Sequence, residues 1–366
     1  MSARLSADHG IICSLPEDTF GYFGWPSVAR MADGTLVAAA SGLRNEHVCP
    51  FGRSVICLSR DGGNTWTTPR VANDSPLDDR DTGIVSLGGK ELLLTWFTSD
   101  NRKYVSQDSP HWEFWSRGLA WLTEANVPAY TGAWVRHSRD GGESWEAPIR
   151  VHLNTPHGPI RLASGDLLYL GKDFGERGEL SGAGEIVAAR STDGGRTWRD
   201  VGIVPRYPGT NPGSYHEPHV AELADGRLVG LIRFQSYGGT PKVEELGLVD
   251  FSLMQTESGD GGRTWSAARP LGFHGSPPHL LRHSNGALVC VYGYRLAPYG
   301  QRVALSWDEG RTWEHDFILR DDGPDSDLGY PCSAELDGGE VVTIYYQKPS
   351  STADKCALLC SRWRLP

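Results

Sequence analysis

The sequence predicts an all-β fold, a six-bladed β-propeller built from four-stranded antiparallel blades. Two repeats support this prediction. An eight-residue turn motif, Ser-x-Asp-x-Gly-x-Thr/Ser-Trp, occurs five times, and a two-residue glycine turn between apolar runs occurs six times. The repeats recur at a period of about 50 to 75 residues, which is typical of propellers. The 45 glycines, 23 prolines and 13 tryptophans among 366 residues agree with many turns and large aromatic packing units.

The glycine turns mark the first two strands of each blade. Each turn follows a short β run and precedes a longer one, such as GTLVAAAS, RLVGLIR or EVVTIYYQ. A glycine-containing turn of two residues between such runs is typical of a β-hairpin. Six hairpins therefore predict six blades. The turns are Asp33-Gly34, Gly88-Gly89, Ser164-Gly165, Asp225-Gly226, Asn285-Gly286 and Asp337-Gly338.

The Ser-x-Asp motifs, called Asp turns below, mark the connection between the third and fourth strands of a blade. We expect their Asp and Ser side chains to bond nearby backbone N–H groups and their Gly to take a positive φ. The Trp is expected to pack between blades. These tasks are structural, so no catalytic role is predicted for the motif. The copies are Ser59–Trp66, Ser138–Trp145, Ser191–Trp198, Ser258–Trp265 and Ser306–Trp313.

The two ends of the chain are predicted to complete one blade together. The last blade has no Asp turn, and it stops one strand short after CALLCSRWRL. We expect the N-terminal run GIICSLP to supply the missing strand, because closing the ring removes exposed sheet edges. Residues 1–366 are thus predicted to form a single propeller domain.

The second blade carries a predicted insertion at about residues 99–131, after its second strand. The run SRGLAWLTEA predicts a short helix there. The insertion is rich in Trp, Phe and Tyr, which favours a lid or an aromatic platform for a sugar. An oligomer contact or a packed surface flap is the alternative.

Composition and charge exclude several classes of protein. The formal net charge of −10 argues against a nucleic-acid partner, because phosphate binding needs a basic surface. No apolar run is long enough for a membrane span or a signal-peptide core, so a cytoplasmic chain is expected. The seven cysteines show no metal-ligand spacing, and they predict reduced thiols. No cofactor and no metal are predicted.

Polar residues gather on one predicted face of the ring. The glycine turns and Asp turns share one face, whereas the starts of the first strands and the loops after the second strands share the other. The first strands converge on the axis, so we expect a functional site at their starts. Five of the twelve histidines lie at these positions, which favours a binding site. The candidate residues are Arg44, Glu46, His47, Asp79, Arg80, Asp81, His157, His216, Glu217, His219, Arg233, His279, Arg295, Arg302 and Tyr330.

The Asp turns and the six-bladed plan resemble those of the sialidase (neuraminidase) superfamily, whose propellers carry Asp-box or BNR repeats. The resemblance covers nearly the whole chain. Glu217 begins an inner strand, and a hydrophobic hairpin then leads to Arg233, as in that family. The resemblance implies Tyr330 as the nucleophile and Glu217 as its base. It also implies Arg233 and Arg302 as the clamp for a substrate carboxylate, with Arg295 as the alternative to Arg302.

The chemistry of this set is coherent. A phenol has a pKa of about 10, so it is a poor nucleophile unless a base takes its proton. A neutral tyrosine suits a sugar whose anomeric carbon bears a carboxylate, because a carboxylate nucleophile would repel it; sialidases are exceptions among glycosidases for this reason. Guanidinium groups bind carboxylates through paired hydrogen bonds.

The chain departs from the sialidase pattern at two positions. Gly24-Trp25-Pro26 stands where the family has Arg-Ile-Pro, so Arg44, Arg53 or Arg80 would have to replace the first arginine. The family's general acid is an Asp in the loop after the second strand of the first blade, where this chain has Glu46 and His47. Asp79 and Asp81 are further candidates for the acid. Burial would keep such a carboxyl group protonated.

The sequence thus predicts an exo-acting glycoside hydrolase with a sialidase-like retaining mechanism and an acidic sugar as substrate. The histidine-rich axis also fits a lyase of uronate-containing glycans. A non-catalytic carbohydrate-binding propeller is the third hypothesis. Neither a homo-oligomer nor a monomer is favoured by the sequence.

Overall fold

The computed structural model describes residues 3–104, 107–173, 184–236 and 243–366. The strands form six antiparallel sheets, and the inner strands of neighbouring sheets contact one another around a central axis. The predicted six-bladed β-propeller is confirmed.

The blades follow one another along the chain, except that β1 (Ala7–Cys13) belongs to the last blade. Blade one contains β2 (Tyr22–Arg30), β3 (Leu36–Arg44), β4 (Arg53–Ser59) and β5 (Arg70–Asn73). Blade two contains β6 (Asp78–Gly88), β7 (Glu91–Ser99), β8 (Gly132–Ser138) and β9 (Ile149–Val151). Blade three contains β10 (Leu153–Asn154), β11 (Ile160–Arg161), β12 (Leu167–Asp173), β13 (Ile186–Ser191) and β14 (Arg199–Ile203).

The remaining blades are more regular. Blade four contains β15 (Tyr215–Glu222), β16 (Leu228–Phe234), β17 (Ser252–Ser258) and β18 (Arg269–His274). Blade five contains β19 (Pro278–Arg282), β20 (Leu288–Tyr294), β21 (Tyr299–Ser306) and β22 (Glu314–Gly323). Blade six contains β23 (Gly329–Glu335), β24 (Val341–Gln347) and β25 (Ala357–Trp363), followed in space by β1.

The N-terminal strand closes the ring as expected. Strand β1 pairs antiparallel with β25, and Ala7 lies opposite Trp363 while Gly10 lies opposite Cys360. Every blade then has four strands across its width.

The inner strand of blade three is broken in two. Both β10 and β11 pair with β12, and residues 155–159 lie between them. Pro156 and Pro159 in this segment have no backbone N–H group to donate to a neighbouring strand. The break places His157 at the axis outside any strand pairing.

The Asp turns have the predicted structural role. In the first copy, the Ser59 hydroxyl donates to Asp61 and accepts a hydrogen bond from the N–H of Gly63. Asp61 also accepts from the hydroxyl and the N–H of Thr65, and these hydrogen bonds lower its pKa to about 2. The Trp residues pack against the apolar clusters of the blades, as Trp66 and Trp265 illustrate. The motif is therefore a self-contained hydrogen-bonded turn.

The insertion in blade two contains helix α1 (Trp112–Leu119), which begins and ends earlier than the predicted SRGLAWLTEA helix. Trp115 and Leu119 pack with Leu122 in a small core of their own. Asn126 bonds the backbone of residues just after α1, and such side-chain bonds compete with further helix. Short 3-10 helices span Arg102–Tyr104, Val127–Ala129, Pro212–Ser214 and Val243–Leu246. None of the helices in the described ranges is long and apolar enough to span a bilayer.

Candidate active site

A cavity of about 700 Å³ opens on the axis, on the face predicted for the site. It is lined by side chains from the starts of the inner strands and from the ends of the second strands, and none of its lining residues belongs to an Asp turn. All six blades contribute. We call it the active-site cavity. Its central residues are Trp25, Arg80, Asp81, Lys172, Glu217, Arg233, Arg295 and Tyr330.

A repeated backbone feature aims four of these side chains at the axis. The register of the inner strand shifts at the corresponding place in blades one, two, four and six, which indicates a β-bulge in each. The residue at each bulge has a left-handed backbone, which costs free energy for a non-glycine residue and is concentrated at functional sites. The φ values are 53° at Trp25, 50° at Asp81, 48° at Glu217 and 51° at Tyr330.

Tyr330, Glu217 and Arg233 form one buried cluster. The Tyr330 hydroxyl donates to Oε1 of Glu217 at 2.6 Å, and Arg233 donates to Oε2 at 2.6 Å. Arg233 also donates to the Tyr330 oxygen at 3.0 Å. The structure thus brings together three of the residues proposed from sequence.

The ionisation of this cluster suits a base beside a neutral phenol. Burial opposes ionisation of Glu217, but the charge of Arg233 and the hydrogen bonds from Tyr330 and Arg233 outweigh it, so the pKa of Glu217 is lowered. Burial and the neighbouring Glu217 raise the pKa of Tyr330 well above its ordinary value. Tyr330 therefore reacts as a nucleophile only if Glu217 takes its proton during the attack.

Asp81 is the carboxyl group that faces the cavity from blade two. Burial and repulsion by Glu217 raise the pKa of Asp81 to about 7, against the opposing effect of Arg80 and Arg233. Two carboxyl groups of one site thus have pKa values pushed in opposite directions, the pattern of a general acid and a base. Asp81 is therefore the member of the pair that keeps its proton to the higher pH.

The other candidates for the acid are placed differently. Glu46 is exposed and does not line the cavity. Asp79 is buried behind the cavity wall, where its carboxylate accepts hydrogen bonds from Asn73, Ser75 and Thr98. His47 lines the cavity but bonds Asp327 at 2.9 Å. A regular strand would put Asp79 and Asp81 on the same face, since they are two positions apart. The bulge at Asp81 gives the two carboxyl groups different surroundings, and the run of acidic residues does not reveal that bulge.

Three arginines line the cavity: Arg233 and two of the alternatives predicted from the sequence. Arg80 and Arg295 join Arg233, and the guanidinium of Arg80 lies 4.1 Å from the centre of the Trp25 ring. Arg80 therefore stands near the place where Gly24-Trp25-Pro26 lacks the first arginine.

Arg302 and Arg44 do not line the cavity. Arg302 lies on β21, the third strand of its blade, about 10 Å from the inner strand. Its guanidinium donates to the carbonyl oxygens of Arg320 and Pro298 and stacks on Tyr294. Arg44 is buried and paired with Asp78. Of the two alternatives for the second clamp residue, the structure places Arg295 at the cavity and Arg302 in the blade.

The predicted histidines separate into two groups. His216 lines the active-site cavity and bonds Lys172. His157, His219 and His279 lie deeper along the axis and line a different cavity. His219 follows Glu217 by two positions on β15, so it lies one step further along the axis.

Lys172 is a cavity residue that the sequence reasoning missed. Its amine donates to the carbonyl oxygen of Tyr215 at 2.9 Å, and burial lowers its pKa to about 8. Lys172 is the last residue but one of the second strand of its blade, as Arg233 is in blade four. That parallel is the signal that would have found it.

The insertion contributes little to the cavity. Tyr104 and Asn101 line its rim, whereas helix α1 does not. The aromatic residues Phe114 and Trp121 are exposed elsewhere. Within the described residues, no group of three or more His, Cys, Asp or Glu is arranged to hold a metal ion.

Comparison with known proteins places this architecture among propellers. The family model described as "BNR repeat-like domain" matches residues 119–343. The xyloglucanase Xgh74A of Acetivibrio thermocellus is 32% identical over 210 residues, which cover 50% of this chain and 22% of the relative. A xyloglucanase of a Paenibacillus species is 28% identical over 237 residues, which cover 56% of this chain and 21% of the relative. The matched regions thus span about a fifth of the length of these relatives.

Solved structures share the fold at low sequence identity. A protein of unknown function from Dyadobacter fermentans has a TM-score of 0.75 at 22% identity, covering 99% of both chains. The Hadza microbial sialidase Hz136 has a TM-score of 0.66 at 17% identity, covering 98% of this chain and 68% of its own. Trypanosoma rangeli sialidase has a TM-score of 0.63 at 16% identity, covering 98% of this chain and 59% of its own.

Proposed function

Because this chain belongs to the BNR repeat-like domain family, we propose that it is a glycoside hydrolase of the propeller type that releases a terminal acidic sugar with retention of configuration. The contact between Tyr330 and Glu217, with Asp81 on the facing wall of the same cavity, carries this proposal. The printed names of the curated relatives, xyloglucanases, support glycan hydrolysis in general.

The first step forms a covalent intermediate. The oxygen of Tyr330 attacks the anomeric carbon while Glu217 accepts the phenolic proton. Asp81 donates its proton to the glycosidic oxygen, so the bond to the leaving group breaks and a neutral alcohol departs. The sugar remains bonded to Tyr330.

The second step restores the enzyme. Asp81, now ionised, accepts a proton from a water molecule that attacks the anomeric carbon. The bond to Tyr330 breaks, and Glu217 returns the proton to the phenolic oxygen. Two displacements at one carbon give net retention.

Charge in the cavity favours an acidic sugar. Arg80, Arg233, Arg295 and Lys172 supply four cationic groups, of which Arg233 is paired with Glu217 and Arg80 with the buried Asp78. A substrate carboxylate near Tyr330 would bind this excess positive charge. It would also explain why a neutral phenol, and not a carboxylate, occupies the nucleophile position.

A screen of aryl glycosides tests the proposal. The panel includes aryl glycosides of sialic and other keto-sugar acids, glucuronides, neutral glucosides and xyloglucan, and each is incubated with wild-type protein and with Tyr330→Phe. We expect release of the aryl group from an acidic glycoside by the wild type alone. Hydrolysis restricted to neutral glucans would contradict the acidic substrate.

A mechanism-based probe separates hydrolysis from elimination. Reaction with a fluorinated acidic glycosyl fluoride should increase the mass of the intact protein. After digestion, the added mass should be found on the peptide that contains Tyr330. A uronate glycan that yields an unsaturated product, detected by its ultraviolet absorbance, would instead show the lyase, in which Tyr330 acts as a base. Binding of a glycan without turnover or labelling would support the non-catalytic carbohydrate-binding propeller.

A further inference from the structure

A second cavity lies on the axis beyond the active-site cavity. It has a volume of about 470 Å³ and is lined by the later parts of the inner strands, including the ends next to the glycine turns. We call it the axial cavity. Its opening is on the face of the ring opposite the active-site cavity.

Three imidazoles in mutual contact lie within the wall of the axial cavity: the rings of His219 and His279 are stacked, and His157 meets both of them edge to face. The ring centroids of His219 and His279 are 4.3 Å apart, and His157 lies 5.7 Å and 5.1 Å from them. Each ring is more than nine-tenths buried. Burial lowers the pKa of all three, so the rings are neutral at neutral pH.

Backbone hydrogen bonds fix the tautomers of two of these rings. The N–H of Leu280 donates to Nδ1 of His219 at 3.0 Å, and the N–H of Ser333 donates to Nδ1 of His279 at 3.3 Å. A neutral imidazole whose Nδ1 accepts a hydrogen bond carries its proton on Nε2. His219 and His279 therefore offer Nε2–H donors. They offer no free lone pair, which a metal ion would need.

The ring nitrogens of His157 give a second, independent indication that the axial cavity binds a ligand. Its side chain is 3% exposed, and neither ring nitrogen has a hydrogen-bond partner among the described residues. The break between β10 and β11 holds this ring at the axis. A buried polar group without a partner is unfavourable, so a bound acceptor would stabilise it.

The mouth of the axial cavity carries three arginines and two glutamates. Arg30, Arg161 and Arg282 come from blades one, three and five, and Glu222 and Glu335 come from blades four and six. Arg30 pairs with Asp337 at 2.7 Å. Arg161 and Arg282 form no ion pair within the described part of the chain.

The two glutamates at the mouth already accept hydrogen bonds. Glu222 accepts from the N–H of Ala163 and Glu335 from the N–H of Ser284. Their charge is thus partly compensated locally, whereas Arg161 and Arg282 remain available to an anion. Arg161 and Arg282 are therefore the groups at the mouth that can attract a negatively charged ligand.

We propose that the axial cavity binds a small oxyanion of the phosphate or sulfate class through N–H donors of His157, His219 and His279. The three rings come from blades three, four and five and line one cavity, and an oxyanion has enough acceptor oxygens for all of their N–H groups. The site is separate from the glycosidase chemistry and does not depend on it.

Calorimetric titration of the full chain with inorganic phosphate, and separately with sulfate, tests the proposal. We expect one site for at least one of the two anions. His157→Phe, which keeps a ring of similar size but removes both nitrogens, should weaken binding at least tenfold. Arg295→Met is the matched control, because it removes an arginine of the active-site cavity and should leave this binding unchanged.

A variant at the mouth of the axial cavity keeps the test decisive if His157→Phe fails to fold. Arg161 is exposed, so Arg161→Met should fold and should weaken binding severalfold. Binding that Arg295→Met removes and that Arg161→Met and His157→Phe preserve would place the anion in the active-site cavity and overturn the proposal. Titrations that detect no binding of either anion would overturn it as well.

Discussion

The phenolic oxygen of Tyr330 lies 2.6 Å from Oε1 of Glu217, although 113 residues separate them in the chain. Both residues occupy left-handed positions of bulged inner strands, in blades six and four. A strained backbone at both partners indicates that the surrounding blades hold this contact in place. The predictions below start from this pair.

Replacing Tyr330 by Phe should abolish turnover without unfolding the protein. The hydroxyl is the proposed nucleophile, so kcat against an acidic aryl glycoside should fall by roughly a hundredfold or more. Glu217→Gln should have a similar effect, because the amide cannot accept the phenolic proton. Steady-state kinetics measure the loss, and near-ultraviolet circular dichroism checks the fold. A Tyr330→Phe variant with full activity would show that another group attacks the sugar.

Asp81→Asn should affect substrates according to their leaving groups. A nitrophenolate leaves without a proton, so its release should fall much less than that of an alcohol from a natural glycoside. In the wild type, kcat for the alcohol should decline as pH rises above about 7, where Asp81 loses its proton. That decline should be absent in Asp81→Asn. An unchanged pH profile, or equal losses for both leaving groups, would assign the acid to another residue.

The same Asp81 should make the fold less stable at alkaline pH. Its pKa is raised from 3.8 to about 7 in the folded protein, so the folded state holds a proton that the unfolded chain has released. Stability from this group is complete below pH 3.8 and is lost as pH rises through about 7. Urea unfolding should therefore show Asp81→Asn to be more stable than the wild type at pH 8 and similar to it at pH 4. A wild type that is the more stable of the two at pH 8 would contradict the raised pKa.

Arg295→Met and Arg302→Met form a matched pair that tests the carboxylate clamp. A hydrogen bond to a charged group contributes about 1.5 to 3 kcal/mol, so Arg295→Met should raise KM for an acidic glycoside roughly tenfold to a hundredfold. Arg302→Met should leave KM unchanged. It should instead reduce the free energy of unfolding by about 0.5 to 1.5 kcal/mol, because the carbonyl oxygens of Arg320 and Pro298 lose their donor. A raised KM in Arg302→Met with an unchanged KM in Arg295→Met would instead support Arg302 as the clamp residue.

The fold was predictable because its signals are local. Each Asp turn and each glycine turn is specified within a few residues, and counting them gives the blades and the ring closure. Glu217 and Tyr330 were predictable because they stand at the starts of inner strands, at positions that match the sialidase pattern.

Other site residues depend on details that the sequence does not carry. Arg295 and Arg302 are seven positions apart, and only their distance from the axis distinguishes them. Asp79 and Asp81 lie two positions apart on β6, and only the bulge at Asp81 gives their side chains different surroundings. His219 and His279 are predicted from the sequence to line the site at the strand starts. They lie further along the inner strands, and they line the axial cavity instead. Lys172, by contrast, was predictable from the sequence, because its place near the end of a second strand matches that of Arg233.

The pairing of Ala7 with Trp363 has a consequence for how the chain reaches its native state. Strand β1 is synthesised before any blade, whereas its partner β25 emerges after five blades have the residues to form. Contacts between such distant segments are slow to form, since a large loop must close first. Ring closure is therefore a late event. Until it occurs, β1 is an unpaired segment that neighbouring chains can capture in place of β25.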